Sequence, residues 1–284
     1  MEDILGFNGT KEETLKIWQK NAERWFSVGP PWRPSAGDIE IYKNLCGGKI
    51  SGDVLILGST SELRDLVALE NNHPVLVDIS PAMLQKMGGL TKYTNSAEEI
   101  WIKSDWCEAP LPKNHFDLVL GDMVWWVVSV AYQFKLRDKI ASILKPNGLF
   151  VSRFRVFNEE NKTLKPETVV EEYLEKFDNR PENEILLRNA MMSRLYDSFT
   201  DMATKRLIRK KTKSFLLEFL RDTTNPKHRS FLSEAAGLLL SADWTSQTRK
   251  EIMAIIERKF VLKKELSAKD YDAKFYPVMQ MAKK

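Results

Sequence analysis

Hydrophobic and polar positions follow two alternating periods between residues 53 and 156. Short apolar runs recur in the segments VLILG, PVLVDIS, EEIWIKSDW, FDLVLGD and LFVSRFRV. A short, nearly continuous apolar run is typical of a strand buried on both faces of a sheet. The intervening segments have helical spacing, as in SELRDLVALENN, PAMLQKM and residues 123–144, which we predict to be mostly helical. This alternation predicts a parallel sheet with right-handed crossovers.

The flanking regions are predominantly helical. Lys11 to Phe26 has an apolar stripe and is predicted to be an amphipathic helix that ends at GPPWRPS, where proline restricts the backbone. Ser35 and Asp38 resemble a capping box that starts a helix reaching about Leu45. Residues 165 to about 241 have several helical segments and no convincing strand, and the last forty residues predict a helix and two strands, FVLKKELSA and FYPVMQMAK.

This pattern predicts an α/β fold in four segments. Residues 1–48 are expected to form an N-terminal helical lid, and residues 49–156 a Rossmann-like core. Residues 157–241 are expected to form a helical cap, and residues 242–284 the closing helix and strand hairpin.

Composition restricts the class of protein. The chain has 284 residues, 43% of them hydrophobic and 29% charged, and lacks an apolar stretch of the roughly 20 residues that a membrane span needs. The N-terminus has no apolar core after a basic start, so a secretory signal is not expected. Two cysteines, Cys46 and Cys107, cannot form a disulfide framework, and we therefore expect a cytoplasmic protein. The three histidines lack metal-ligand spacing, so no metal site is predicted.

The positive charge is modest and unevenly distributed. Residues 1–156 carry 18 basic and 19 acidic side chains, and residues 157–284 carry 25 and 20. The most basic run, KRLIRKKTK from Lys205 to Lys213, lacks interleaved aromatic residues and is typical of a solvated helix face. Nucleic acid is therefore not an expected partner.

Polar residues follow four of the predicted strands. They are Gly58, then Asp78 twenty residues later, then Asp105-Trp106, and then Gly121-Asp122. In an open α/β sheet a ligand binds at the carboxyl ends of the strands, and an acid about 20 residues beyond a glycine turn suits the hydroxyls of a ribose. The second acid, after the third strand, and the LKPNG turn before the fifth go beyond a dinucleotide pattern.

These motifs resemble the class I S-adenosylmethionine-dependent methyltransferases. The resemblance covers Asp53 to about Val156 and, loosely, the last forty residues. It implies that the turn at Gly58 approaches the methionine part of S-adenosyl-L-methionine, that Asp78 holds the ribose and that Asp105 meets the adenine amino group. The expected cofactor-binding set is Trp32, Arg33, Gly58, Ser59, Thr60, Asp78, Ile79, Met83, Asp105, Trp106, Asp122 and Met123.

The glycine turn departs from the family pattern. The family usually has an acid where Ile56 stands and further glycines near Thr60 and Glu62. The small hydroxyl residues Ser59, Thr60 and Ser61 are expected to keep the turn close and to hydrogen-bond the cofactor's amino or carboxylate group. We therefore predict an altered but functional turn.

Several of these residues also have purely structural interpretations. Asp78 and Asp122 are suited to cap the helices that follow them, Asp105 is either a loop acid or an adenine contact, and Trp106 either packs in the core or stacks on adenine. PPWRPS is either a rigid linker or a segment that folds over the cofactor, with Arg33 pairing its carboxylate.

The substrate candidates are Trp125, Trp126, Arg153 and Arg155. Adjacent helical residues point about 100° apart, so one tryptophan is expected in the core and the other over the cofactor or a cationic amine. Arg153 and Arg155 share one strand face, which fits either an anionic substrate group or structural salt bridges.

The predicted activity is in-line methyl transfer to oxygen or nitrogen of a small molecule. Asp122 is the catalytic candidate, with His115 and Tyr132 as other possible bases. The alternatives are a non-catalytic binding protein, an RNA methyltransferase that uses the basic run, and a nucleotide-dependent oxidoreductase, against which the absence of GxGxxG argues. The acceptor and the oligomeric state do not follow from the sequence.

Overall fold

A computed structural model describes residues 11–237, 244–271 and 273–284. Its strands are β1 (Val54–Leu57), β2 (Val75–Asp78), β3 (Ile100–Lys103), β4 (Phe116–Asp122), β5 (Leu144–Arg153), β6 (Thr200–Asp201), β7 (Arg206–Leu207), β8 (Phe260–Leu266) and β9 (Val278–Lys283). Seven of them form one sheet in the order β3-β2-β1-β4-β5-β9-β8. All neighbours from β3 to β5 pair in parallel, and β9 runs antiparallel to both β5 and β8. The predicted Rossmann-like, mostly parallel seven-stranded sheet is confirmed.

The helices lie before, between and after the strands of the sheet. They are α1 (Lys11–Ala22), α2 (Ala36–Leu45), α3 (Ser61–Ala68), α4 (Pro81–Gly88), α5 (Val130–Ile143), α6 (Glu159–Thr163), α7 (Pro166–Asn179), α8 (Glu184–Ser198), α9 (Arg209–Asp222), α10 (Pro226–Gly237) and α11 (Arg249–Ile256). Helices α6 to α10 follow β5, in the segment predicted as a cap. Residues 1–10 of the predicted lid and residues 238–241 of the predicted cap lie outside the described part of the chain.

The core lies on both faces of the sheet. Leu55 and Leu57 belong to one hydrophobic cluster, whereas Val54 and Ile56 belong to another. Successive residues of a strand point to opposite faces, so β1 is covered on both sides and its sequence is continuously apolar. Ile56, which stands where the family has an acid, is fully buried in the second cluster.

The strand order reverses between β1 and β4, which are neighbours in the sheet but not in the sequence. At such a switch point the connections leave in opposite directions and open a crevice at the carboxyl ends of the strands. The residues that follow β1, β2, β3 and β4 therefore meet at one place.

The predicted element boundaries need three corrections. The first helix ends at Ala22, and a separate 3₁₀ turn covers Trp25–Ser27. The helix predicted from residue 123 begins at Val130, because Ser129 caps it by accepting a hydrogen bond from the Tyr132 amide, and Met123 has a left-handed backbone (φ 52°) that no helix continues. A two-residue ladder, β6 with β7, interrupts the region predicted to be purely helical. The capping box of Ser35 and Asp38 is confirmed, and α2 ends at Leu45 as expected.

Candidate active site

A pocket lies at the switch point and encloses about 930 Å³ of empty space, its open mouth included. The pocket, called the main pocket below, is lined by all of the predicted cofactor residues except Arg33. The lining residues are Trp18, Trp25, Trp32, Leu57, Gly58, Ser59, Thr60, Asp78, Ile79, Met83, Met87, Ser104, Asp105, Trp106, Asp122, Met123, Val124, Trp126, Val127, Val128 and Trp244.

The turn after β1 depends on Gly58. Its φ is 92°, a backbone conformation that a residue with a Cβ rarely adopts, and its amide donates to the Val77 carbonyl at 2.8 Å. A Cβ at this position would stand 3.9 Å from the Trp106 ring and 4.0 Å from Asp78 Oδ2. One glycine therefore suffices for the turn itself, although the family pattern has three.

Asp78 ends β2 and lines the main pocket. Its Oδ1 accepts from the Ser80 amide at 2.8 Å, and its Oδ2 accepts from Ser59 Oγ at 3.1 Å. Ser80, and not Asp78, caps α4, since its hydroxyl accepts from the Met83 amide. Burial raises the pKa of Asp78 to about 6, against the lowering effect of these two hydrogen bonds. A carboxylate in this setting gains from further hydroxyl donors.

Asp105 follows β3 and is almost fully buried. Its Oδ1 accepts from the Tyr132 hydroxyl and from the Cys107 amide, the latter at 2.9 Å. Its Oδ2 is buried and has no hydrogen-bond partner among the described residues. An unpaired buried acceptor is costly, so a ligand that donates one hydrogen bond here would be favoured.

Trp106 is fixed beside these acids. Its Nε1 donates to the Val77 carbonyl at 2.8 Å, so the indole is tied to the end of β2. The ring lines the main pocket next to the Gly58 turn. It is partly exposed there, which is compatible with stacking on a flat ligand.

Asp122 ends β4 and is held by Arg153, which lies opposite it in the strand register. Arg153 Nε donates to Asp122 Oδ1 at 2.7 Å and its Nη2 to Oδ2 at 3.1 Å. The guanidinium also contacts Asp38 at 2.8 Å and the Tyr271 hydroxyl at 2.9 Å. Burial raises the pKa of Asp122 to about 6, and the charge of Arg153 opposes this shift. The structure thus gives Arg153 two buried carboxylate partners and places it outside the main-pocket lining.

Arg33 lies beside the glycine turn. Its Nε donates to Glu62 Oε1 at 2.9 Å, its Nη2 to Ser61 Oγ at 3.1 Å, and its Nη1 to the Val28 carbonyl at 3.3 Å. Glu62 stands where the family has a glycine, so the ion pair between Arg33 and Glu62 lies in the first turn of α3. The contact of Arg33 with a cofactor carboxylate stays a prediction.

The two adjacent tryptophans separate as expected, although they lie in a turn and not in a helix. Trp125 packs against Phe150 and Phe154 in the core, whereas Trp126 lines the main pocket. The Trp126 and Trp244 ring centroids are 4.0 Å apart, and Trp32 meets Trp244 edge-on at 6.1 Å. Three indoles from distant parts of the chain therefore close one end of the pocket.

Sequence reasoning missed several residues of the lining. Trp18 and Trp25 lie within the segment predicted as the N-terminal helix, but an apolar stripe does not by itself reveal which surface it covers. Trp18 packs against Trp25 at 6.1 Å, and both pack against Met83 and Met87 of α4. Trp244 follows the predicted cap and has no pattern in its neighbourhood that would reveal its role.

Arg155 is buried below the cap and lies outside the main-pocket lining. It pairs with Asp197 of α8, and it donates to the Ser193 carbonyl at 3.0 Å and to Ser246 Oγ at 3.2 Å. Its guanidinium carbon lies 5.6 Å from the centroid of the Trp126 ring. Of the four predicted substrate residues, the structure thus brings only Trp126 into the main pocket.

The residues present fit S-adenosylmethionine. A carboxylate at the end of β2 suits the ribose hydroxyls, and the unpaired Oδ2 of Asp105 suits the adenine amino group. Trp106 offers a flat surface between them, and the backbone of the Gly58 turn is accessible to the methionine part. Among the described residues no cluster of three His, Cys, Asp or Glu side chains is placed to hold a metal ion.

Comparison with known proteins agrees with this site. Residues 57–152 match the sequence family described as a methyltransferase domain. The matched segment begins at the last residue of β1 and includes the turns that follow β1, β2, β3 and β4. The chain therefore carries an S-adenosylmethionine-dependent methyltransferase domain, whose cofactor is S-adenosylmethionine. No curated protein matches the chain.

Solved structures with low sequence identity share the fold. A putative Zn-dependent alcohol dehydrogenase from Rhodobacter sphaeroides has a TM-score of 0.55 at 15% identity, covering 93% of this chain and 98% of its own. A putative methyltransferase from Haloferax volcanii, in complex with the Trm112 methyltransferase activator, has a TM-score of 0.52 at 14% identity, covering 96% and 97%. The N-methyltransferase NodS from Bradyrhizobium japonicum, in complex with S-adenosyl-L-homocysteine, has a TM-score of 0.50 at 9% identity, covering 93% and 97%. At these identities the similarity is one of fold alone.

Proposed function

We propose that this protein transfers a methyl group from S-adenosylmethionine to an oxygen or nitrogen atom of a small molecule. The observation that carries the proposal is that two acids, the partly buried Asp78 and the buried Asp105, line the same pocket. Asp78 would accept hydrogen bonds from the ribose, and Asp105 Oδ2 would accept one from the adenine amino group. The turn of Gly58, Ser59 and Thr60, together with Ile79, Met83, Trp106 and Met123, would enclose the remainder.

The enclosure of the pocket supports a small acceptor. Trp126 and Trp244 close one end, and Trp18, Trp25 and Trp32 approach from the N-terminal segment. An extended nucleic acid needs an open groove with positive charge along it. The basic residue that begins the run at 205–213, Lys205, is instead paired with Glu251 at 2.6 Å.

Asp122 is the proposed base. Bound S-adenosylmethionine supplies a methyl group activated by a positively charged sulfur. The chain has to hold the acceptor in line with that methyl group, exclude water and take up a proton if the acceptor is a hydroxyl or an ammonium. With a pKa of about 6, Asp122 is ionised at neutral pH and lies close enough to neutrality to accept that proton. The fork of Arg153 fixes the orientation of its carboxylate.

The N-terminal segment is proposed as a lid. Trp18, Trp25 and Trp32 line the pocket, and Arg33 is proposed to pair with the cofactor carboxylate when Glu62 releases part of the Arg33 guanidinium.

No helix in the described part of the chain is long and apolar enough to cross a membrane. We propose a cytoplasmic enzyme that acts on a metabolite.

A radiolabel transfer assay tests this function. Purified protein is incubated with methyl-tritiated S-adenosylmethionine and either a fractionated small-molecule extract or total RNA. We expect label in small organic molecules, and we expect Asp122→Asn to reduce this transfer. Label that appears only in RNA would overturn the proposal.

A further inference from the structure

A second, narrower cleft lies between the carboxyl end of β5 and helices α6 to α8. This cap cleft holds about 320 Å³ of empty space, mouth included, and is lined by Pro31, Arg155, Asn161, Tyr173, Ala190, Ser193, Arg194, Asp197, Tyr271, Phe275 and Tyr276. We propose that the cap cleft binds a carboxylate group of the methyl acceptor. The proposal rests on the proposed function, because it names the chemistry of the molecule that the main pocket methylates.

Arg155 brings to the cap cleft a hydrogen-bond donor that lacks an acceptor. Arg155 is only 4% exposed. Its terminal nitrogens donate to Asp197, Ser193 and Ser246, and its guanidinium also interacts with the Tyr276 hydroxyl. Its Nε is buried and finds no acceptor within the described parts of the chain. A buried guanidinium donor without an acceptor is costly, and a carboxylate is the acceptor that best matches a guanidinium.

The charged residues that line the cap cleft are predominantly basic. Two arginines, Arg155 and Arg194, and one acid, Asp197, line it. Asp197 is already well supplied, since Asn161 Nδ2 donates to it at 3.0 Å and the Asn158 amide at 3.3 Å, in addition to Arg155. Arg194 is paired with Glu172 at 2.6 Å, and Glu172 is paired in turn with Lys176. The three charged residues that line the cleft sum to +1, and Glu172, which lies outside the lining, is shared between Arg194 and the exposed Lys176.

The cap cleft lies beside the main pocket. Arg155 contacts the face of Trp126, and Trp32 Nε1 donates to Ser193 Oγ at 3.0 Å, so two residues of the main pocket touch two residues of the cleft. Arg153 pairs with Asp122 in the strand register, and Arg155 follows two residues later, roughly 7 Å along an extended chain.

The charges on the two sides are of opposite sign. The buried Asp122–Arg153–Asp38 group has a net charge of −1, and Asp122 is its member that lines the main pocket, whereas the three charged residues that line the cap cleft sum to +1. An acceptor with a carboxylate at one end would therefore be oriented with its nucleophilic atom toward Asp122. The small size of the cleft suits a terminal group and not a whole acceptor.

The test compares benzoate, benzamide and benzylamine as probes. Each is titrated by calorimetry into protein that has first been saturated with S-adenosylhomocysteine. We expect benzoate to bind roughly tenfold to a hundredfold more tightly than benzamide, the range of a charge-assisted hydrogen bond, and benzylamine not to bind. Equal affinity for benzoate and benzamide, a preference for benzylamine, or no binding of benzoate would overturn the inference.

Variants locate the probe. Arg194→Gln should remove most of the preference for benzoate, whereas Arg221→Gln should keep it, because Arg221 is exposed on α9 and its loss changes the net charge equally. The double variant Arg155→Met, Asp197→Leu removes a buried ion pair without leaving one charge unpaired, and it should also lose the preference. Preference retained in both Arg194→Gln and the double variant would place the carboxylate elsewhere.

The same titrations separate this inference from the proposed function. If S-adenosylhomocysteine itself produces no heat, the proposed function fails, and benzoate binding still reports on the cap cleft. If S-adenosylhomocysteine binds and benzoate does not, only the inference about the acceptor fails.

Discussion

Asp78→Asn should have opposite effects on the free protein and on its complex with cofactor. The carboxylate of Asp78 faces an apolar pocket, and its described hydrogen-bond partners are the neutral groups Ser59 Oγ and the Ser80 amide. Burial raises its pKa from 3.8 to about 6. The free protein therefore carries an unfavourable charge that the cofactor ribose would stabilise.

The size and sign of the effect follow from proton linkage. Because the folded pKa lies above the unfolded one, the charged carboxylate destabilises the fold fully above about pH 6, and this cost disappears as pH falls toward 3.8. A difference of about two pKa units corresponds to about 3 kcal/mol of destabilisation by the charged carboxylate. Asparagine removes this charge but forms weaker hydrogen bonds with Ser59 and Ser80, so the net gain in stability is smaller. We expect Asp78→Asn to raise the free energy of unfolding of the free protein by about 1–3 kcal/mol at pH 7.

The cofactor affinity should change in the other direction. An amide cannot accept two strong hydrogen bonds from a ribose diol, so S-adenosylhomocysteine binding should weaken by about 1.5–3 kcal/mol. Urea unfolding at pH 7 and pH 4 measures the first effect, with the exposed Asp222→Asn as a control, and calorimetric titration measures the second. A variant that is less stable than the parent at pH 7, or that binds S-adenosylhomocysteine unchanged, would refute the reasoning.

Three further predictions concern the same pocket. Activity at saturating cofactor should fall as pH drops below about 6, because Asp122 must be deprotonated to accept a proton. An Asp122→Asn variant should lose this acidic limb of the pH profile. A profile that is unchanged in the variant would exclude Asp122 as the base. Asp105→Asn should bind S-adenosylhomocysteine and its inosine analogue with similar affinity, whereas the parent should prefer the adenine form by roughly tenfold or more, measured by calorimetry; a preserved preference would move the adenine away from Asp105. Arg33→Ala should cost about 1.5–3 kcal/mol of cofactor binding, and deletion of residues 1–34 should abolish binding while circular dichroism still reports the folded sheet. Unchanged hydrogen exchange of residues 11–34 on cofactor addition, together with binding by the deletion variant, would reduce the segment to structural packing.

The sheet and the polar residues at its edge could be predicted because both depend on local patterns. A continuous apolar run defines each buried strand, and the geometry of a parallel sheet then places Gly58, Asp78, Asp105 and Asp122 at one edge whatever the rest of the chain does. The hydrogen bond from Ser59 to Asp78 was not anticipated, but the expectation that small hydroxyl residues would keep the turn close agrees with it.

The remaining parts of the pocket depend on contacts between distant segments. The apolar stripe with Trp18 and Trp25 shows that the first helix must be covered, but only the folded chain identifies Met83 and Met87 of α4 as its partners. Trp244 reaches Trp126 across more than a hundred residues. Arg153 and Arg155 alternate along one strand, yet β5 ends at Arg153, so one arginine pairs with the core acids and the other with Asp197 of the cap.

A crystal structure of the protein with S-adenosylhomocysteine would show whether the main pocket holds the cofactor as proposed. We expect the ribose hydroxyls within hydrogen-bond distance of Asp78, the adenine amino group donating to Asp105 Oδ2, and the sulfur on the Asp122 side of the main pocket. Electron density for the ligand outside the main pocket, or a ribose that contacts neither Asp78 nor Ser59, would contradict the account.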